Sequence, residues 1–389
     1  MSSDQIEWID DSQKAVSVGF IEYFKLIEDT KQNRKTGHNL LEIIFISVCA
    51  YICGANSWDG VFEFAKTRES WLRKYIPLEN GIPSRVTYWR TFTTLNPNSF
   101  QNKFREWANS LIGSTKHIAI DGKVLRGVYD PDNQKSSLIL VSAWATDRGI
   151  LLGQVKTDVK SNEITAIPNL LDVIHVKDCL ISIDAIGCQV AIASKISDLG
   201  GDYLFSLKGN QGTLKNDVEH FFQDMIAMNW EGFDYQYIES VEKGHGRIDS
   251  RKVYLVKADT EMKVKWAKIN SLVLVISSRK IKDKESIEYR YYVSSSDMKV
   301  DELSAAIRRH WSIENGFHWS IDVGFREDRQ VAQIGNLSEN LAVLRRIAFN
   351  YLNQIDRSDC QLSIENKRLK AAMSTDFLEQ VLAMKHESK

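Results

Sequence analysis

The sequence predicts a mixed α/β fold with an all-helical region ahead of it. Three observations carry that expectation. Residues 116–227 alternate short apolar runs with stretches of helical spacing, as strands and their covering helices do. Residues 230–300 run or alternate in β-branched and aromatic side chains. Residues 1 to about 112 keep apolar side chains at helical spacing throughout.

Taken in order, the helical region comprises segments 16–30, 38–54, 57–76 and 98–113, with a shorter helix at 86–95. Asn56-Ser57 is a cap signal before WDGVFEFAKTRESWLRKYI, and GIPS (81–84) is a turn. Arg85, Tyr88, Trp89 and Arg90 interleave bases with aromatics, a pattern that suits DNA or an ordinary solvated face equally. Past Lys116, KHIAIDGKVLRG is a strand ending on aspartate then glycine. SSLILVSAWATD and GILLGQVKTDV are two more strands, joined at the turn Asp147-Arg148-Gly149. A helix over 162–174, a strand over 178–187, a helix over 189–200, a strand over 202–211 and a further helix through 227 complete the α/β stretch. Helices resume at 301–323 and 338–355, and one amphipathic helix is expected in the tail, at roughly 362–384.

At 389 residues the chain is long enough for two or three domains. The expected division is a helical N-terminal domain over 1–112, an α/β domain over 113–356 with a β-rich insertion at about 230–300, and a helical tail over 357–389. Hydrophobic and charged contents of 43% and 26% are those of an ordinary globular chain. The apolar run at 40–55 contains Glu42 and is short for a membrane span, and the acidic start MSSDQIEWIDD lacks the order of a secretory signal. A cytoplasmic protein is expected. Five dispersed cysteines do not make a disulfide framework, and Cys49 and Cys53 fit core packing. A protein that merely coats nucleic acid is usually basic, so a net charge of −1 counts mildly against DNA binding, although bases gathered on one face remain compatible with it.

The chemistry concentrates in two places. HWSIENGFHWSIDVGFRED (310–328) sets His310, Glu314, His318 and Asp322 on one helix face beside an apolar stripe of Ile313, Phe317 and Ile321. Upstream, two predicted strands end on Asp121 and Asp184. An aspartate before glycine is ordinarily a turn former. If the first and fourth strands are neighbours, however, the two carboxylates lie side by side, and such a pair holds a proton or a cation between them. Oxygen-only ligands select a hard ion, Mg²⁺ or Mn²⁺, and Glu314 would be the third ligand. A zinc site on His310, Glu314 and His318 is the rival, but it leaves Asp121 and Asp184 without a use.

Six stretches also resemble a known family: AIDGKVLRG (119–127), TDVKSNEITAIPNLL (157–171), ISIDAIGCQ (181–189), DYLFSLKGNQ (202–211), KGHGRIDSR (243–251) and residues 310–328. Together with the helical stretch at 37–84 they resemble the H-repeat-associated proteins, which are insertion-sequence transposases of the DDE type. The resemblance spans about residues 20–355. It implies an RNase H-like mixed sheet with flanking helices, a β-rich insertion and an all-helical N-terminal domain. It implies Mg²⁺-dependent cleavage and strand transfer at the ends of an element, with Asp121, Asp184 and Glu314 as the catalytic acids and metal ligands. DNA, as element ends and target, is the implied partner, and a homodimer bridging two ends the implied assembly. An inactive DNA-binding relic and a plain Mg²⁺-dependent nuclease are the alternative readings.

Related transposases often carry tyrosine, arginine and lysine around the glutamate, where this chain has Ile307, His310 and Ile321. The groups that hold the DNA phosphates are therefore sought among Arg85, Arg90, Lys123, Arg126, Lys208, Arg247, Arg308, Arg309, His310 and His318. Asn210 and Gln211 either line the site or form a turn.

Overall fold

A computed structural model describes residues 19–27, 37–112, 114–125, 138–157, 163–244, 246–259, 266–329, 334–355 and 358–383. Of the helices expected in the N-terminal region, 16–30 lies partly outside the described residues, and the others form as α1 (Leu40–Ile52), α2 (Trp58–Thr67), α3 (Glu69–Leu72), α4 (Arg85–Thr94) and α5 (Pro97–Ser110). Their starts are chemically marked. The Ser57 and Ser84 hydroxyls accept from Gly60 and Thr87 N–H groups, and Asn96 caps a helix whose first residue is Pro97.

The α/β part begins with β1 (His117–Leu125), β2 (Leu138–Ala145) and β3 (Ile150–Lys156), an antiparallel meander. Helix α6 (Glu163–Leu171), β4 (Leu180–Ile183), α7 (Val190–Asp198), β5 (Asp202–Leu207) and α8 (Gly212–Ala227) follow. Strands β1, β4 and β5 are mutually parallel neighbours. The β-rich stretch forms four long strands, β6 (Tyr235–Gly244), β7 (Arg247–Lys257), β8 (Ser271–Ile281) and β9 (Lys284–Ser294). They do not make a separate β layer. Strand β9 pairs with β5, so one sheet of nine strands runs β3-β2-β1-β4-β5-β9-β8-β7-β6. The outer halves of β6–β9 project as an exposed twisted ribbon, while Val253, Leu255, Val273 and Val275 at their inner ends are buried.

After the sheet come α9 (Val300–His310), a wide π-helical turn (Ile313–His318) and α10 (Trp319–Phe325). The expected single helix at 301–323 is thus interrupted. A π turn carries one extra residue, so the fourfold spacing of His310, Glu314, His318 and Asp322 no longer sets one straight face. Ile313, Phe317 and Ile321 are nevertheless fully buried, as the apolar stripe requires.

Helix α11 (Leu337–Asn353) ties the halves together from inside the core. Its Asn350 amide donates to the Leu151 carbonyl and accepts the Leu151 N–H, at 3.0 and 2.9 Å, which satisfies the backbone of the edge strand β3. Its Asn340 donates to the carbonyls of Phe92 and Leu95, closing the end of α4. Trp107 of α5 packs on Tyr351 of α11 with ring centroids 5.0 Å apart.

The tail differs from the expectation of one amphipathic helix. It forms α12 (Ile364–Met373) and α13 (Thr375–Leu382), broken at Ser374, whose extended backbone lets its hydroxyl cap α13 at Phe377 N–H. Both helices dock. Buried Arg368 donates to the carbonyls of Tyr51, Ala55 and Gly324 and stacks on Phe325, 4.2 Å from its centroid. One side chain so links the N-terminal helices to α10, and the aliphatic face of α13 (Phe377, Leu378, Val381, Leu382) is buried. No helix among the described residues is long and apolar enough to cross a membrane.

Candidate active site

The condition set by the sequence is met: β1 and β4 are adjacent and parallel. Ile120 pairs with Ile183, so the next residues, Asp121 and Asp184, stand side by side. Asp121 is not at the end of its strand. Strand β1 continues to Leu125 against β2, and only its pairing with β4 stops at Ile120. The backbone of β4 leaves the sheet at Asp184, whose carboxylate caps the following turn by accepting the Ile186 N–H at 3.0 Å. Glu314 enters from the π-helical turn.

A fourth carboxylate, not singled out from the sequence, joins them. Glu163 opens α6, and a methyl group added to Gly122 would sit only 2.3 Å from its Oε1. Glycine at 122 is what leaves room for that carboxylate beside Asp121. The signal was present in the SNEI run, as an acid at a helix start. Helix-start acids are common for dipole reasons alone, however, so the residue carried no mark of a site.

The electrostatics follow from this crowding. Asp121 has a side chain 15% exposed, and burial, then Asp184, Glu314 and Glu163, push its carboxyl up to about 8. Glu314 and Glu163 are raised by burial and then by Asp184, and Lys208 partly offsets the effect on Glu314. These hard oxygen donors have the chemistry to hold a divalent cation. As placed, no three such ligands among the described residues converge on one ion.

Around the acids lies a chain of polar contacts. His310 Nδ1 meets Ser182 Oγ at 2.8 Å, Ser182 Oγ meets His117 Nε2 at 2.8 Å, and His117 Nδ1 meets Thr146 Oγ1 at 2.9 Å. Burial lowers His310 to about 4 and His117 to about 3, so both are neutral at physiological pH and act as hydrogen-bonding posts. They fix the end of α9, and hence the turn bearing Glu314, against β1 and β4. His318 Nδ1 lies 3.4 Å from Asp121 Oδ2, an ion-pair distance, yet burial lowers this histidine to about 3. The contact is therefore one of a neutral imidazole. His310 and His318 turn to different partners, so the arrangement does not bring them together with Glu314 as the zinc reading requires. Asn210 donates to the Ala185 carbonyl and Gln211 Nε2 to Gln189 Oε1 at 3.2 Å, which braces the loop after β5 against the turn holding Asp184.

The basic residues scatter. Lys123 is a correction: it is buried, with Nζ 2.6 Å from Asp322, 3.3 Å from Glu327 and 3.2 Å from Asp328, and offers no face to a polyanion. Glu327 in turn binds Arg346 and Arg345, both buried. His310 and His318 are likewise enclosed, for the reasons above. Lys208 is exposed beside the acids. Arg308 and Arg247 reach the ribbon, paired with Glu242 at 2.6 Å and Asp249 at 2.9 Å, and Arg309 is exposed on α9. Arg85 pairs with Asp59 on the surface of the helical region, and Arg90 is exposed there. Of the aromatics between them, Tyr88 is wholly buried and only Trp89 faces outward. Arg126 lies outside the described residues.

Comparison with known proteins meets this geometry. Residues 112–351 match the family model described as the transposase DDE domain, and residues 21–108 the one described as DDE_Tnp_1-associated. The chain belongs to the H-repeat-associated DDE transposases. It is 39% identical over 372 residues to "Putative transposase YncI" of Escherichia coli O157:H7, covering 93% of this chain and 94% of that protein. It is 36% identical over 372 residues to "H repeat-associated putative transposase YhhI" of Escherichia coli strain K12, covering 93% and 97%. A solved piggyBac transposase synaptic complex with hairpin DNA aligns over 96% of this chain and 79% of that one, at 11% identity and a TM-score of 0.43. That similarity is too slight to carry an argument. In this transposase the matched DDE domain contains all four carboxylates and the whole nine-stranded sheet.

Proposed function

We propose that the protein binds the terminal inverted repeats of an insertion sequence and catalyses DNA cleavage and strand transfer, with Asp121, Asp184 and Glu314 as catalytic acids and ligands of Mg²⁺ or Mn²⁺. The observation that carries this reading is the β1/β4 register, which makes Asp121 and Asp184 neighbours beneath Glu314. The strand order β3-β2-β1-β4-β5, with only β1, β4 and β5 parallel, supports an RNase H-like core. Ribbon β6–β9 is then an insertion between the second and third acids.

A bound divalent cation would supply Lewis acidity at the scissile phosphate and lower the pKa of the attacking oxygen. The protein's own groups do the rest. The four crowded carboxylates favour uptake of a proton or of a cation. The His117–Ser182–His310 contacts and the Asn210 brace hold two of the three acids in aim. Lys208, exposed beside Glu314, is placed to meet a phosphate oxygen. Hydrolysis at the element end leaves a 3′-hydroxyl, and that hydroxyl attacks the phosphorus of a target phosphodiester, forming a new phosphodiester bond and releasing the target's own 3′-hydroxyl. A homodimer bridging two ends is the working assembly.

The test offers the purified protein DNA bearing its own flanking inverted repeats with Mg²⁺, alongside Asp184→Ala. Strand cleavage by the unaltered protein and none by the variant is the expected result. No cleavage by either, or equal cleavage by both, would sink the proposal.

Glu163 belongs to the same site on this reading. Gly122→Ala pushes its carboxylate away, since the three atoms nearest to the added methyl all belong to Glu163. Because the displaced atoms end a flexible side chain, stability should stay within about 1 kcal/mol of the parent. Cleavage should fall at least roughly ten-fold, a loss of about 1.4 kcal/mol of barrier lowering. Thermal melting and a gel-based cleavage assay on the same preparation check both halves.

A further inference from the structure

Between the β-ribbon and the end of α9 lies a cleft of about 520 Å³ that none of the four carboxylates lines. Five arginines line it, Arg247, Arg251, Arg279, Arg290 and Arg308, against three carboxylates, Glu242, Asp249 and Glu288. The carboxylates are already committed. Asp249 serves both Arg247 and Arg279, Glu288 serves Arg290, and Glu242 serves Arg308. Arg251 is left over. It sits mid-ribbon on β7, between Ser240 of β6 and Ser277 of β8, and its Nη1 is fully buried with no hydrogen-bond partner among the described residues.

A guanidinium held half-buried among other arginines is costly. A planar fork of donors whose neighbouring carboxylate, Glu242, is paired with Arg308 matches a phosphate, which it can grip through two parallel N–H···O bonds. Serine hydroxyls line the same cleft and can donate to further phosphate oxygens. Trp311, just before the turn bearing Glu314, and Asn315, within it, also line the cleft. Trp311 carries the Arg290 guanidinium 5.2 Å from its ring centre, so it is held as a flat wall. A strand leaving the candidate active site along that wall would lay its backbone on the arginines.

We propose that this cleft binds a backbone phosphate of the DNA strand adjacent to the cleavage site, with Arg251 as its principal ligand. The inference rests on the transposase reading above and adds where the strand runs. It makes the ribbon a DNA-binding element rather than a spacer.

The test is anisotropy of a labelled duplex bearing the inverted repeat, with full-length protein in chelator so that no cleavage occurs, over a range of salt. Arg251→Ala should bind about ten-fold more weakly, and its dependence on log salt should be shallower by about one. The loss should be the same for a scrambled duplex, because phosphate contacts carry no sequence. Its melting temperature without DNA should equal or exceed that of the parent, since an uncompensated charge has gone. Arg251→Lys should recover part of the affinity. A parent-like affinity and salt slope for Arg251→Ala would overturn the cleft assignment. So would a fall of several degrees in melting temperature in both variants, which would make the arginine a structural part of the ribbon. If inorganic phosphate stabilises the parent but not Arg251→Ala while DNA binding is unchanged, the cleft takes free anions only and the DNA form is overturned. A parent protein that binds no duplex at all would sink the transposase reading itself.

Discussion

Asp121→Asn should abolish strand cleavage while making the metal-free protein more stable. The substitution keeps the shape of a side chain that is only 15% exposed and removes its charge. Charge is what the site lacks room for: burial and three neighbouring carboxylates raise Asp121 to about 8. In metal-free protein near pH 8 the carboxylate form is opposed by every one of these influences, and asparagine escapes them. Since each pKa unit is worth about 1.4 kcal/mol, a gain of one to a few kcal/mol in urea unfolding at that pH is expected. Cleavage should fall by roughly 10³-fold or more, as when a preorganised charge facing the reacting phosphate is lost. Added Mg²⁺ should stabilise the parent against unfolding more than the variant. A variant that cleaves within about ten-fold of the parent would remove Asp121 from the catalytic set.

Glu327→Gln should act in the opposite direction, on stability first. Glu327 is 3% exposed and faces Arg346, Arg345 and Lys123, of which Arg346 is fully buried. Burial by itself would raise its carboxyl, but Arg346, Lys123 and Arg345 outweigh burial and hold it at about 2. Replacing it leaves buried cations short of a counter-charge, at a cost of about 3–5 kcal/mol. The pH dependence follows from the direction of the shift. A group held below its ordinary 4.5 contributes stability that is complete above that value. The contribution is lost as pH falls from about 4.5 through 2. The parent should therefore lose stability over that window more steeply than Glu327→Gln. Urea midpoints at pH 7, 4 and 3 measure both effects, and parallel curves for the two proteins would show that the cluster is not coupled to this carboxylate.

The same cluster explains why Lys123 reads differently in sequence and in structure. Two residues after a candidate catalytic aspartate, a lysine is a reasonable phosphate ligand. Only the folded chain shows that β1 runs on past Asp121 and carries Lys123 under α10, where Asp322, Glu327 and Asp328 close on it. Asp322, the last polar residue of the helix face that carries Glu314, pairs there as well. Arg251 is the reverse case. Within RIDSRKVYLVKA it is one base among several, and its lack of a partner exists only once β6, β7 and β8 lie side by side.

What the sequence determined by itself is local or periodic: the order of helices and strands, the capped start at Ser57, and the burial of Ile313, Phe317 and Ile321. It also singled out Asp121, Asp184 and Glu314, because the two aspartates follow apolar runs and the glutamate lies on an amphipathic segment. Tertiary structure decided what depends on neighbours distant in the chain. Pairing of β1 with β4 made two aspartates one site, and the missing side chain at Gly122 admitted Glu163. Pairing of β9 with β5 turned a β-rich block into an extension of the same sheet. The physical reason is that side-chain periodicity records only which face of an element is apolar. Charge compensation is settled by which elements come to lie within a few ångströms of one another.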